Sequence, residues 1–191
     1  EKLNGMESLN QLYRIGCGPS SSHTMGPEKA CILFKEKNSN ADKFKAILYG
    51  SLAKTGKGHC TDSVIINTLA PIPCEVEFDY LKNDIEHPNT MDLYAFKDGE
   101  QVDFIRVFSV GGGRIEFEGS KSATEPIVYN LSTFKDIKAY CKEKKYRLWQ
   151  YVDEVEGEYI WDYLATVWKT MKEAVERGIE QEGVLPGPLA L

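Results

Sequence analysis

The stretch that most constrains this chain is Gly16-Cys17-Gly18-Pro19-Ser20-Ser21-Ser22-His23-Thr24-Met25-Gly26-Pro27. Gly/Pro pairs at both ends enclose three serines, an imidazole and a threonine, so the segment is a loop by composition. Ala30, Leu33 and Phe34 follow at helical spacing, so the loop runs straight into a helix. Pro27 suits the first turn, where a missing N–H costs nothing. Such a helix start has free N–H groups and a positive dipole end. A carboxylate or phosphate there would meet backbone donors, hydroxyls and one titratable ring. The plainer reading is that Ser22 or Thr24 simply caps the helix.

The helix is expected to run to about Lys37, and Lys45–Tyr49 reads as a buried strand. The second loop is Gly50-Ser-Leu-Ala-Lys-Thr-Gly56-Lys57-Gly58-His59-Cys60-Thr61-Asp62. It is not a nucleotide P-loop, because five residues separate Gly50 from Gly56 and Gly58 stands where a magnesium-binding hydroxyl belongs. Thr61 and Asp62 are cap and first-turn residues for a helix carrying Val64, Ile65, Ile66 and Leu69. Cys74–Tyr80 alternates, as a strand with one wet face does, and a polar loop with His87-Pro88-Asn89-Thr90 follows. Met91–Phe96 and Gln101–Val110 flank Asp98-Gly99, a hairpin signal. Gly111-Gly112-Gly113 breaks or bulges the sheet before a strand over Arg114–Glu118, and Pro126–Leu131 reads as one more short strand. Ser132 caps the next helix; a short helix over Leu148–Val155 and a long one from about Tyr159 to Gln181 follow. The last has an apolar stripe of Ile160, Leu164, Val167, Trp168, Met171, Val175 and Ile179. The order predicts an α/β (α+β) fold, a mixed sheet with helices packed on it and a long C-terminal helix.

Composition excludes several function classes. With 23 basic and 29 acidic residues and no basic block, nucleic acid is not an expected partner. No apolar run approaches the length of a membrane span. Cys17, Cys31, Cys60, Cys74 and Cys141 are odd in number and show no C-x-x-C pair, which argues against a zinc site or a secreted disulfide framework and for a reducing cytoplasm. A hydrolase using Ser22 and His23 is disfavoured, since no Gly-x-Ser-x-Gly elbow exists.

The string Gly18-Pro-Ser-Ser-Ser-His-Thr-Met-Gly-Pro27 closely resembles the opening motif of iron–sulfur-dependent L-serine dehydratases (L-serine ammonia-lyases). The second loop, with Thr55-Gly-Lys-Gly-His59 and Thr61-Asp62, is similar to that family's second motif. His87-Pro88-Asn89-Thr90-Met91 is similar to a third, with Thr90 where the family usually has Gly. Phe108-Ser-Val-Gly-Gly-Gly113 resembles its glycine-rich strand end, and Glu182-Gly-Val-Leu-Pro-Gly-Pro-Leu189 the start of its catalytic α domain.

The resemblance implies an N-terminal β domain over residues 6–157, similar to the allosteric substrate-binding domain of some phosphoglycerate dehydrogenases. Residues 158–191 would lead into a catalytic α domain, and a truncated product is expected rather than half of a split enzyme. It implies a lyase of amino-acid degradation and gluconeogenesis that converts L-serine to pyruvate and ammonia. The family's [4Fe–4S] cluster would be metal-binding work of the α domain, with no ligand in this chain. His23, His59 and His87, the only histidines, are the catalytic candidates. Ser20, Ser21, Ser22, Thr24, Lys57, Thr61, Asp62 and Asn89 are the substrate-binding candidates. The expected partners are L-serine, the α domain or α chain, and a second copy in a homodimer, with Trp161, Trp168 and Leu185 packing on one of the last two. The alternative is a non-catalytic module that binds serine or another small anion and regulates a partner.

Overall fold

The computed structural model describes residues 5–82, 84–120 and 126–184. Leu185 and the rest of the Leu-Pro-Gly-Pro-Leu segment lie outside them, as does part of the loop expected over 119–125. The described chain forms two compact units, one of residues 16–82 and 84–120 and one that combines 5–15 with 126–183.

The larger unit is built on five strands, β1 (Lys43–Tyr49), β2 (Cys74–Asp79), β3 (Thr90–Lys97), β4 (Glu100–Gly111) and β5 (Arg114–Phe117). Their order is β2-β1-β3-β4-β5. β1 and β2 are parallel, and every other pair is antiparallel. The mixed sheet expected from the sequence is therefore present. β3 and β4 meet at Asp98-Gly99, whose φ angles of +52° and +84° suit the tight hairpin turn. The glycine run turns β4 into β5 with a register shift between Ser109 and Gly111.

One sheet face carries the core. Phe44, Ala46 and Leu48 of β1 are fully buried, with Leu93 and Ala95 of β3 beside them. They pack with Ala30, Cys31 and Phe34 of one helix (Met25–Lys37) and Ile65 and Leu69 of another (Thr61–Leu69). The opposite face is polar and aromatic. There Arg106 grips Asp92 with two bonds of 2.7 Å, and Tyr49 donates to the same carboxylate at 2.9 Å. Asp92 is only 1% exposed, so this double-bonded geometry is what makes its burial tolerable.

The smaller unit holds four helices. Numbered with the larger unit's in chain order, the helices are α1 (Leu9–Leu12), α2 (Met25–Lys37), α3 (Gly50–Thr55), α4 (Thr61–Leu69), α5 (Phe134–Lys144), α6 (Leu148–Glu156) and α7 (Tyr159–Glu180). Tyr129, Cys141 and Tyr151 form the centre of the smaller unit's core. Glu156 is buried at its hub. It accepts from Ser8 Oγ at 2.6 Å, Leu9 N at 2.7 Å, Tyr129 OH at 2.8 Å and Tyr159 OH at 3.0 Å.

Three local expectations are corrected. The cap of α5 is Thr133, not Ser132: its hydroxyl accepts from Asp136 N at 3.2 Å, one residue later than the sequence pattern suggested. Pro126–Leu131 forms no strand; it makes only a bridge from Tyr129 to Met6, because no further strand lies beside it. The helix α3 occupies a stretch read as loop. No helix among the described residues is long and apolar enough to cross a membrane.

Candidate active site

The sequence brings three loops to one end of the larger sheet. β1 ends there, β3 begins there, and antiparallel β4 returns there at Ser109. The first loop winds into turns before α2. His23 N and Thr24 N both donate to Ser20 O, at 3.0 and 2.9 Å, and Gly26 N donates to Ser21 O at 2.9 Å. Pro27 has no N–H to offer. The open anion cradle expected at this helix start is thus partly filled by the chain's own carbonyls. Thr24 occupies the cap position, but its hydroxyl lies between the Ser20 and Cys17 carbonyls and shares its one proton with them, so it braces the loop and caps no N–H.

His23 is only 7% exposed and is ringed by hydroxyls. Its Nδ1 lies 3.1 Å from both Ser20 Oγ and Ser22 Oγ. Its Nε2 lies 2.9 Å from Thr55 Oγ1 and 3.3 Å from Ser51 Oγ. The Thr55 hydroxyl has one proton, and at 2.8 Å it gives it to the Ser51 carbonyl. With that proton so placed it accepts from His23, an arrangement that puts the ring proton on Nε2 and leaves Nδ1 to accept from the serines. Burial pushes the His23 pKa down, and the nearby His59 pushes the same way.

His59 is the second ring, its centroid 4.6 Å from that of His23. Its Nδ1 lies 3.0 Å from the Thr55 carbonyl, an acceptor only, so Nδ1 carries the proton. The neutral ring therefore keeps a basic lone pair on Nε2. The two rings are tilted by 46° to each other; in these tautomers His23 Nδ1 faces the serine hydroxyls and His59 Nε2 keeps its lone pair.

The second loop reaches His59 through α3. Ser51 and Thr55 are four residues apart on this helix, hence on one side of it, which is how both meet His23. Gly50 opens the helix at φ +52°. A Cβ there would lie 2.5 Å from Pro88 O and 2.6 Å from Ile85 Cδ1, so only glycine allows this approach. Next to it, Ser51 N donates to Pro88 O at 2.7 Å and ties the second loop to the third. The third loop is tied in turn to β4. Ser109 N donates to Asn89 O at 2.9 Å, and Asn89 Nδ2 donates to Ser109 O at 3.2 Å. Ser109 Oγ then fills the space at Gly26, where a Cβ would lie 2.1 Å from it.

The other candidates are placed less centrally. His87 accepts from Asn89 N at 3.1 Å through Nδ1, and its ring neighbour is Phe108 at 6.1 Å; it is not brought into the His23–His59 pair. The Lys57 ammonium lies over the Phe78 ring at 5.4 Å. Asp62 accepts from Ser63 N at 2.9 Å in the first turn of α4, as a helix-starting acid does. The Ser21 carbonyl is used by Gly26. Thr61 Oγ1, Asn89 Oδ1 and Ser109 Oγ are buried polar atoms with no protein partner. Sequence reasoning missed Ser51, Thr55 and Ser109. A four-residue Ser/Thr spacing beside Leu52 and Ala53 was the available signal for the first two.

Among the described residues no three His, Cys, Asp or Glu side chains gather to hold a metal ion. Cys141 lies in the core of the smaller unit, whereas Cys31 is buried in the larger one, with its thiol pushed up by that burial.

Residues 8–86 match the family described as serine dehydratase beta chain, a span that includes the first two loops. L-serine dehydratase 1 of Escherichia coli (strain K12) is 33% identical, with 96% of this chain and 52% of the relative covered. An L-serine dehydratase of Haemophilus influenzae is 30% identical over the same shares. One of Streptomyces coelicolor is 27% identical, with 95% and 52% covered. The chain spans about half the length of the curated relatives it matches. These matches show that residues 8–86, with the first two loops, belong to the serine dehydratase beta-chain family.

Proposed function

We propose that this chain is the β part of an L-serine ammonia-lyase and lends its histidine pair to a site completed by a catalytic α part. The observation that carries this is the 4.6 Å pairing of His23 and His59, taken with the contacts of Thr55 Oγ1 to His23 Nε2 and of the Thr55 carbonyl to His59 Nδ1. In the reaction a base takes the Cα proton of serine and the β-hydroxyl leaves as water. The resulting aminoacrylate hydrolyses to pyruvate and ammonia. His59 suits the proton transfer, because Thr55 holds Nδ1–H and leaves Nε2 able to accept. His23 suits positioning: its four hydroxyl neighbours fix the ring, and its lowered pKa keeps it neutral beside a second imidazole that gains a proton. Ser20 and Ser22 stand at the same edge and can turn toward a carboxylate.

On this reading an iron–sulfur cluster belongs to the α part, and the holoenzyme is a homodimer of the reducing cytoplasm. The five free thiols support that compartment, and sedimentation of the holoenzyme tests the dimer.

His59→Asn in the full-length enzyme tests the role. A lost general base should lower kcat about 10²–10⁴-fold. A module that only senses serine would leave kcat unchanged at saturating serine, and that result refutes the proposal.

A further inference from the structure

The smaller unit carries an apolar groove that the histidine site does not use. It has a volume of about 490 Å³ and is lined by Leu9, Trp149, Trp161, Leu164, Trp168 and Met171, among others. All three tryptophans of the chain lie in it. Trp149 and Trp161 meet edge to face at 6.5 Å, and Trp161 Nε1 is anchored on Asp153 at 2.6 Å. The floor is therefore preformed, yet Trp168 is 66% exposed.

The apolar surface continues along α7. The only residues this helix buries are Ile160 and Val167, both in its first half. From Met171 to Glu180 every position is exposed. Met171, Val175 and Ile179 prolong the Trp168 stripe at helical spacing, and Ile179 is 80% exposed. The other side is solvated, with a Lys169–Glu173 pair at 3.9 Å. An amphipathic helix with half its apolar stripe uncovered is built for a partner.

We propose that this groove and the stripe beyond it dock the catalytic half of the enzyme. The inference rests on the functional reading above. The occupant is argued from length: the relatives are single chains about twice as long as the portion matched here, so each carries a further half beside a region like this one. A surface joined by the polypeptide meets the groove at high effective concentration, which a free second copy does not. Aromatic anchors in a preformed pocket also give an interface most of its energy.

The test places single cysteines at Met171→Cys and Val175→Cys, with Glu173→Cys on the solvated face as control. Maleimide labelling is followed peptide by peptide by mass spectrometry, in the full-length enzyme and in the 191-residue chain. In the full-length enzyme the two stripe positions should react at least about tenfold more slowly than the control, and in the short chain at the control rate. Labelling at the control rate in both proteins overturns the proposal. Protection in both, with the short chain sedimenting as a dimer, overturns it in favour of a second copy. Serine turnover and its loss in His59→Asn are read on the same full-length protein, so the docking surface and the histidine chemistry fail separately.

Discussion

Glu156→Ala should cost the smaller unit more than any surface change of equal size. The carboxylate accepts four bonds of 2.6–3.0 Å, from Ser8, Leu9 N, Tyr129 and Tyr159. A bond to a charged acceptor contributes about 1.5–3 kcal/mol, but four such bonds on one group do not add. The three hydroxyls can turn toward other acceptors, whereas the Leu9 N–H is fixed by the backbone and would be stranded. Removing an acceptor that holds buried donors in this way should cost toward the upper end of about 1–3 kcal/mol. Glu156→Gln keeps an oxygen for Leu9 N and Tyr129 and turns its amide toward two hydroxyls able to accept. Its cost should be only about 1–2 kcal/mol. Urea unfolding followed by tryptophan fluorescence is the assay, since all three tryptophans lie in this unit. An alanine variant within about 1 kcal/mol of wild type, or glutamine as costly as alanine, would refute the reasoning. Acid supplies an independent check. Burial alone would raise the Glu156 pKa, but the bonds from Ser8, Leu9, Tyr129 and Tyr159 outweigh it and the net shift is down. The contribution should be complete above the ordinary glutamate pKa and fall away as pH drops through the lowered value.

Two further outcomes are expected. Gly50→Ala puts a Cβ 2.5 Å from Pro88 O at a φ of +52°, so it should destabilise by about 2–4 kcal/mol and lower kcat of the full-length enzyme through Ser51; unchanged unfolding and kcat would refute the close approach. His23, with its pKa lowered by burial and by His59, should titrate below 6.5 in a histidine-resolved NMR titration; its stabilising effect is then complete above 6.5 and lost as pH falls through the lowered value, and a midpoint above 6.5 would refute the hydroxyl clamp.

The sheet was largely legible because its signals are local. Alternation in Cys74–Tyr80 and the Asp98-Gly99 turn each depend on a few neighbouring residues, and both elements lie where expected. Helix α3 was hidden by its own glycines: Gly50 starts it in a conformation glycine favours, and Gly56 ends it, so the stretch reads as loop. The site divides in the same way. His23 and His59 stood out because imidazoles are few and their loops distinctive. Their pairing could not be read, since it depends on Ser51 and Thr55 projecting from an unrecognised helix. Nor could the separate place of His87, whose ring goes to Phe108 across a strand pair that only the folded sheet defines. Glu156 carried no signal at all. Its donors lie as far as 148 residues away in sequence, beyond any periodic pattern.

That same carboxylate sets an order of events during synthesis. Residues 16–82 and 84–120 contain every described strand and can close their own core as soon as they leave the ribosome. Ser8 and Leu9 are made earlier but must wait until Glu156 emerges before their donors find an acceptor. The larger unit is thus an insertion in the sequence that can be finished first, while the smaller one is still incomplete. A nascent chain stalled between these points should resist protease across the sheet and be cut near Ser8.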